Sequence, residues 1–205
     1  MDTAKILILK FSALGDVVHT FPIAATIRKS LPNSHIAWMV EERYQDLLVG
    51  NPDIDEVIPL RTKVWRKNWN SKSLGEILHT IKTLRRQNFD LVLDLHGLLK
   101  SGIIARLSGA PTRIGFHRNN CKEKISALFT NQKAPYMAGG LHVVDMYLKL
   151  LQTALGKVEE TKLFPLQVPS EIDEKVAHFF NQNPELTYRP VIGINPGAGF
   201  ESKQW

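Results

Sequence analysis

The chain has 205 residues, 43% of them apolar and 22% charged, which suits a soluble globular protein and excludes wholesale disorder. Its 26 Lys and Arg against 20 Asp and Glu leave a net charge of +6, which favours anionic partners: phosphorylated ligands, anionic lipid or nucleic acid. One cysteine, Cys121, excludes an internal disulfide, and no Cys/His cluster has zinc-ligand spacing. The N-terminal apolar run is interrupted by Lys10 and is too short to span a membrane, so neither export nor membrane insertion is expected.

Residues 5–10 (KILILK) form a nearly continuous apolar run, the pattern of a strand buried on both faces. SALGD (12–16) breaks it, and a helix follows over 21–31 with Thr20 as its cap and Pro22 in its first turn. Strands are expected at 36–40 and 56–60, with a short helix at 44–49 between them. The Ser-x-x-Glu pattern of Ser73 and Glu76 predicts a capping box opening a helix to Arg86. A strand at 91–95, a helix at 98–107 and a strand at 113–116 come next. Then follow a helix at 143–155 ended by Gly156, an irregular connection at 156–169, and a helix capped by Ser170 running to Asn181. PVIGIN (190–195) reads as a new buried strand.

Strands alternating with helices through short connections predict an α/β fold: a Rossmann-like parallel sheet with helices on both faces. One domain is expected over 1–168. Residues 169–205 read as the start of a second α/β unit, truncated at Trp205 directly after a strand and a glycine loop.

Five segments could carry chemistry. KFSALGD (10–16) lies at the carboxyl end of the first strand, where open parallel sheets bind ligands. Gly15 allows close backbone approach, and Asp16 either serves as a general base toward an attacking hydroxyl or only caps the helix. The loop lacks the Gly-x-Gly-x-x-Gly form of a dinucleotide site. RTKVWRKNW (61–69) reads as a loop in which Arg61, Lys63, Arg66 and Lys67 sit with two tryptophans and no acid. It suits phosphate and sugar contacts, a nucleic-acid patch, or plain solvation. DLHGLLKS (94–101) puts Lys100 in the first turn of a helix, near where an anion would meet its N-terminus. Asp94 and His96 at that strand end read as structural, because a third metal ligand is lacking. HRNNCKEK (117–124) suits either a mobile loop closing over an anion or an ordinary exposed loop, and His142 starts the long helix as a cap or core histidine. Finally, NPGAG (195–199) with Lys203 could cradle a phosphate on backbone N–H groups, although it is not a P-loop.

In series, KFSALGDVVHTFP (10–22), WMVEE (38–42), WRK (65–67), DLHGLLKS (94–101), NPGA (195–198) and KQW (203–205) resemble the glycosyltransferase family containing the ADP-heptose:lipopolysaccharide heptosyltransferases, the heptosyltransferase I branch above all. The resemblance covers essentially the whole chain. It implies a two-lobed GT-B fold, this chain supplying the N-terminal acceptor lobe and the beginning of the nucleotide-sugar lobe. It further implies an inverting, metal-independent transfer of heptose from ADP-heptose to the lipid A–Kdo inner core, with no cofactor beyond the nucleotide-sugar co-substrate. Asp16 becomes the base. Lys10, Arg61, Lys63, Arg66, Lys67, Lys100, Lys122 and His142 become acceptor-binding residues, and Gly15, Gly197, Ala198 and Lys203 contact the donor phosphates. A cytoplasmic monomer, peripheral on the inner membrane surface and free of nucleic acid, is the corresponding expectation, and this chain alone would not turn over. Two departures stand out: Met146 replaces the arginine of the family's His-x-x-acid-Arg pattern after His142 and Asp145, and Lys122 replaces an expected arginine. Two alternatives remain at this level: a transferase using another nucleotide sugar, and a non-catalytic polyanion-binding module.

Overall fold

A computed structural model describes residues 3–67, 70–188, 190–194 and 196–197, without the side chains of residues 63, 66, 67 and 72. The chain divides into two compact units, Met1–Gln167 and Val168–Trp205.

The first unit contains a six-stranded sheet of β1 (Lys5–Leu9), β2 (His35–Glu41), β3 (Glu56–Leu60), β4 (Leu91–Asp94), β5 (Thr112–Gly115) and β6 (Gln132–Lys133). Every pairing is parallel, in the order β3-β2-β1-β4-β5-β6. The helices of this unit are α1 (Leu14–Val18), α2 (Phe21–Ser30), α3 (Thr62–Lys67), α4 (Ser71–Gln87), α5 (Leu99–Leu107) and α6 (Val143–Leu155).

The two-residue period of a strand explains how β1 is used twice. Ile6 and Ile8 point to one face, where they join Trp38, Leu93 and Ile114 under Phe21, Ile23 and Ile27 of α2 and Tyr147, Leu148 and Leu151 of α6. Leu7 and Leu9 point to the other, with Met39, Val92, Leu84 of α4 and Ala105 of α5. A run with no polar position inside it can only sit where helices cover both faces, and each such buried Ile or Leu stabilises the fold by roughly 1.5–3 kcal/mol. The expected Rossmann-like sheet is therefore present.

The strand order reverses at β1 and β4. Their carboxyl ends diverge into α1 on one side and α5 on the other, opening the crevice where ligands of such sheets bind.

Several local expectations change. The basic segment after β3 is the helix α3 from Thr62, not a loop. Ser73 does not cap α4; Asn70 does, its side chain accepting the Ser73 N–H at 3.0 Å. Glu76, the expected other half of that capping box, accepts the Trp65 indole N–H at 2.8 Å instead. Residues 118–128 form two 3-10 turns, Arg118–Asn120 and Lys124–Leu128, so this stretch is folded backbone. β6 escapes the sequence pattern because it is two exposed polar residues long.

The second unit holds α7 (Ser170–Gln182), with Ser170 its first helical residue and Pro169 at the cap position, and a 3-10 turn at Pro184–Thr187. Residues 190–194 form no strand, contrary to the reading of PVIGIN: Val191, Ile192 and Ile194 are exposed, and a strand forms only where a neighbour completes its ladder.

Candidate active site at the strand switch point

The tail of β1 enters the crevice at Lys10. Only 2% exposed, its ammonium donates to the Leu95 carbonyl at 3.0 Å and to the Tyr147 hydroxyl at 2.6 Å, and lies 3.8 Å from Asp16 Oδ2. Burial brings the Lys10 pKa down to about 8, opposed by Asp16 and reinforced by Lys122. The structure thus places Lys10 beneath the crevice, with its ammonium committed to protein groups, and not on the surface where an acceptor-binding role was expected. Burial first and the nearby Asp16 charge second push the Tyr147 hydroxyl pKa upward.

Asp16 is the third residue of α1, and its side chain is 30% exposed. Its nearest contacts among the described residues all fall on Oδ2: the Ala13 N–H at 3.4 Å, the Lys10 ammonium at 3.8 Å and the Lys122 ammonium at 3.8 Å. The carboxylate thus reaches back toward its own helix start and also faces two cations. Gly15 beside it is exposed, and a Cβ there would meet no described atom within 4 Å, so packing within the chain does not demand a glycine.

The β4 end is built differently. Asp94 is 2% exposed and its Oδ1 accepts the N–H groups of His96 (3.0 Å) and Gly97 (3.1 Å). Burial raises its pKa, with the hydrogen bonds from Ser101, Gly97 and His96 acting the other way. His96, 6% exposed, packs its ring against Phe11 at 4.9 Å, and neither ring nitrogen has a hydrogen-bond partner among the described residues. Burial and then the ammonium groups of Lys10, Lys100 and Lys122 lower its pKa to about 3, so it is a neutral imidazole. Among the described residues no group of three or more His, Cys, Asp or Glu could hold a metal ion.

The segment after β5 docks on this turn. Gly97 has φ +65°, a left-handed conformation, and a Cβ there would come within 3.6 Å of Cys121 Cα and 3.7 Å of Lys122 N. The Glu123 N–H donates to the Gly97 carbonyl at 3.2 Å, and the Glu123 carboxylate accepts the Leu99 N–H at the start of α5 at 2.5 Å. This clasp sets Lys122, 69% exposed, opposite Asp16.

The remaining expected cations are spread along the rim. Lys100 Nζ lies 3.7 Å from Glu41 and 5.3 Å from the Phe11 ring centre. Arg61 donates to Glu42 at 3.1 Å. His142 caps α6, its Nδ1 accepting the Val144 N–H at 3.3 Å, with its ring edge-on to His19 at 5.4 Å. Gly197 is an exposed residue of the second unit. The side chains of Lys63, Arg66 and Lys67, and Ala198 and Lys203 altogether, lie outside the described residues.

Asp16, Lys10 and Lys122 are thus brought together, whereas Lys100 pairs with Glu41, the last residue of β2, and Arg61 with Glu42 just after it. Asp16 therefore shares this edge with two other carboxylates, Glu41 and Glu42. Buried Glu41 also accepts the Thr62 hydroxyl, tying β2 to α3 and α5. Sequence reading missed Glu41, Tyr147 and Glu123. The adjacent acids ending WMVEE were a visible signal for Glu41, whereas Tyr147 reads as one more apolar position of an amphipathic helix.

The described helices include none long and apolar enough to cross a membrane. Residues 77–205 match the model of glycosyltransferase family 9 (heptosyltransferase). The chain is 33% identical over 152 residues to lipopolysaccharide heptosyltransferase 1 of Pseudomonas aeruginosa, covering 74% of this chain and 42% of that protein. It is 29% identical over 214 residues to lipopolysaccharide heptosyltransferase 1 of Escherichia coli K12, covering 97% and 67%. The E. coli heptosyltransferase WaaC solved with ADP-2-deoxy-2-fluoro heptose superposes with a TM-score of 0.70 at 28% identity, over 78% of this chain and 50% of that one. With the family model matching more than half of the residues, the chain belongs to glycosyltransferase family 9, the heptosyltransferases.

Proposed function

We propose that this chain is the acceptor-side part of an inverting heptosyltransferase that transfers heptose from ADP-heptose to the lipid A–Kdo inner core of lipopolysaccharide. The observation that carries the reading is Asp16: a partly exposed carboxylate at the strand switch point, contacted on one oxygen by a peptide N–H and two ammonium groups. Its other oxygen, Oδ1, takes the proton of the acceptor hydroxyl. The hydroxyl oxygen attacks the anomeric carbon from the face opposite the diphosphate, and the breaking C–O bond leaves its electron pair on the ADP. Positive charge develops on the sugar and negative charge on the diphosphate, so basic groups are the stabilisers this transition state needs.

On this reading Lys122, Lys100, Arg61 and the α3 cations Lys63, Arg66 and Lys67 meet the phosphates and acidic sugars of the acceptor. Gly197, Ala198 and Lys203 neutralise the leaving diphosphate, without a resident metal or cofactor. A cytoplasmic monomer working at the inner membrane surface fits such an acceptor, and the net charge of +6 favours an anionic lipid surface. The 205-residue chain by itself binds acceptor without turning over, because in the family the nucleotide sugar is held mainly by the second lobe. The family assignment removes the reason for a polyanion-binding module.

The test is Asp16→Ala in a protein carrying a complete second lobe, assayed with ADP-heptose and a heptose-deficient acceptor. Transfer falls by about 10²–10⁴-fold with the fold intact. Near-normal turnover removes Asp16 from the mechanism, and faster turnover with another nucleotide sugar replaces the donor.

A further inference from the structure

Lys10 is the buried charge to which the proposed chemistry gives no contact with either substrate. Its ammonium is fixed by two neutral acceptors from distant parts of the chain, the Leu95 carbonyl and the Tyr147 hydroxyl, and the same ammonium lies 4.9 Å from the centre of the Tyr147 ring. A lysine side chain is long and flexible, and holding it in one place beneath a carboxylate requires partners that it cannot carry with it. Tyr147 is such a partner. It is buried, its ring rests near Phe116, and it sits on the second turn of α6, whose apolar face is locked under the sheet.

We propose that Tyr147 is a positioning residue: by anchoring the Lys10 ammonium it makes that ammonium pin Oδ2 of Asp16, so that Oδ1 is presented for proton transfer. The proposal rests on the reading of Asp16 as the base and adds a residue from α6, whose hydroxyl accepts from the Lys10 ammonium. Lys10 therefore acts within the protein as an orienting clamp for the carboxylate. A two-point hold is needed because Asp16 is partly exposed and its exposed partner, Lys122, can swing away into solvent.

The charged and titratable groups facing Lys10 are Asp16 from α1, Asp94 from β4, His96 from the turn after it, Lys122 from the segment after β5 and Tyr147 from α6. Of these, Tyr147→Phe alters only a neutral acceptor and keeps the ring packed. A hydrogen bond to the charged form favours that form, so its loss makes Lys10 shed its proton more readily. In the 205-residue chain, heteronuclear NMR of the lysine Cε and Nζ groups follows Lys10, which titrates near pH 8 in the parent chain. Tyr147→Phe lowers its proton affinity by about threefold or more while the unfolding midpoint stays close to that of the parent. In a protein carrying a complete second lobe the same substitution reduces kcat by about tenfold, with KM for the donor unchanged.

Both changes are required. A Lys10 titration that Tyr147→Phe leaves in place overturns the anchoring, and an unchanged kcat overturns its use in the reaction. Asp16→Asn separates this failure from failure of the transferase reading. An inactive Asp16→Asn beside a fully active Tyr147→Phe removes only the positioning role. An active Asp16→Asn removes the base itself, and the positioning role with it.

Discussion

Two aspartates, Asp16 and Asp94, sit at the carboxyl ends of adjacent parallel strands, within one crevice and near the same lysine. Asp16 has 30% of its side chain exposed and touches cations through one oxygen. Asp94 is 2% exposed and spends Oδ1 on two peptide N–H groups of the turn that follows it. The first carboxylate is available to a ligand, and the second holds the backbone that makes the site. Residue type is the same for both, but Asp94 ends β4 while Asp16 lies in α1, beyond the loop that follows β1. What separates them is the connection: β1 runs into a short helix that carries Asp16 out to the rim, whereas β4 turns sharply at Gly97, and its aspartate folds back over the turn.

Substitution at the two positions should therefore split activity from stability. Asp16→Ala has the largest effect of any change considered, a loss of transfer with an unchanged unfolding midpoint. Asp94→Ala does the reverse. It strands two buried N–H groups and costs about 1–3 kcal/mol in chemical denaturation. Loss of activity without loss of stability at Asp94 would break the comparison.

A second effect, of roughly 2–3 kcal/mol, sharpens it through pH. His96 titrates at about 3 in the folded chain against an ordinary 6.5. Between those values the unfolded chain takes up a proton that the folded chain refuses, so stability is present above pH 6.5 and is lost as pH falls. Urea unfolding at pH 7 and pH 4.5 should show that loss in the parent, and His96→Phe should reduce it. Equal acid sensitivity in both would mean that other groups carry it.

The smallest effect is at the rim. Lys122→Ala leaves stability untouched, since the side chain is exposed, and raises KM for an anionic acceptor by about three- to tenfold, less so at high salt. A change in kcat as large as that of Asp16→Ala would instead place Lys122 at the reacting atoms.

Much of the fold is legible because it rests on period and local chemistry. The continuous apolar run of KILIL, Pro22 in the first turn of α2 and the Gly156 end of α6 each act over a few residues, and each stands where the pattern puts it. Thr20 holds the cap position of α2, but its hydroxyl donates to the Asp16 carbonyl and makes no cap hydrogen bond. The capping of α4 was misjudged because two cap signals competed within seven residues. Asn70 took the Ser73 N–H, and Glu76 had a better partner in Trp65. β6 and the folded 118–128 segment were invisible for the opposite reason: their residues are polar and irregular, and contacts with neighbouring strands and turns order them.

The site divides along the same line. By itself the sequence determined that KFSALGD and DLHGLLKS stand at strand ends and that cations gather near them, because strand periodicity and the punctuation of glycine and proline are local properties. Only the tertiary structure decided which groups are paired, which are buried and which are free to act. Lys10 meets Leu95 across 85 residues and Tyr147 across 137, and Glu41 captures Lys100 from another crossover. Burial and charge pairing are sums over such distant neighbours, and it is these sums that set whether a carboxylate or an ammonium serves the fold or the reaction.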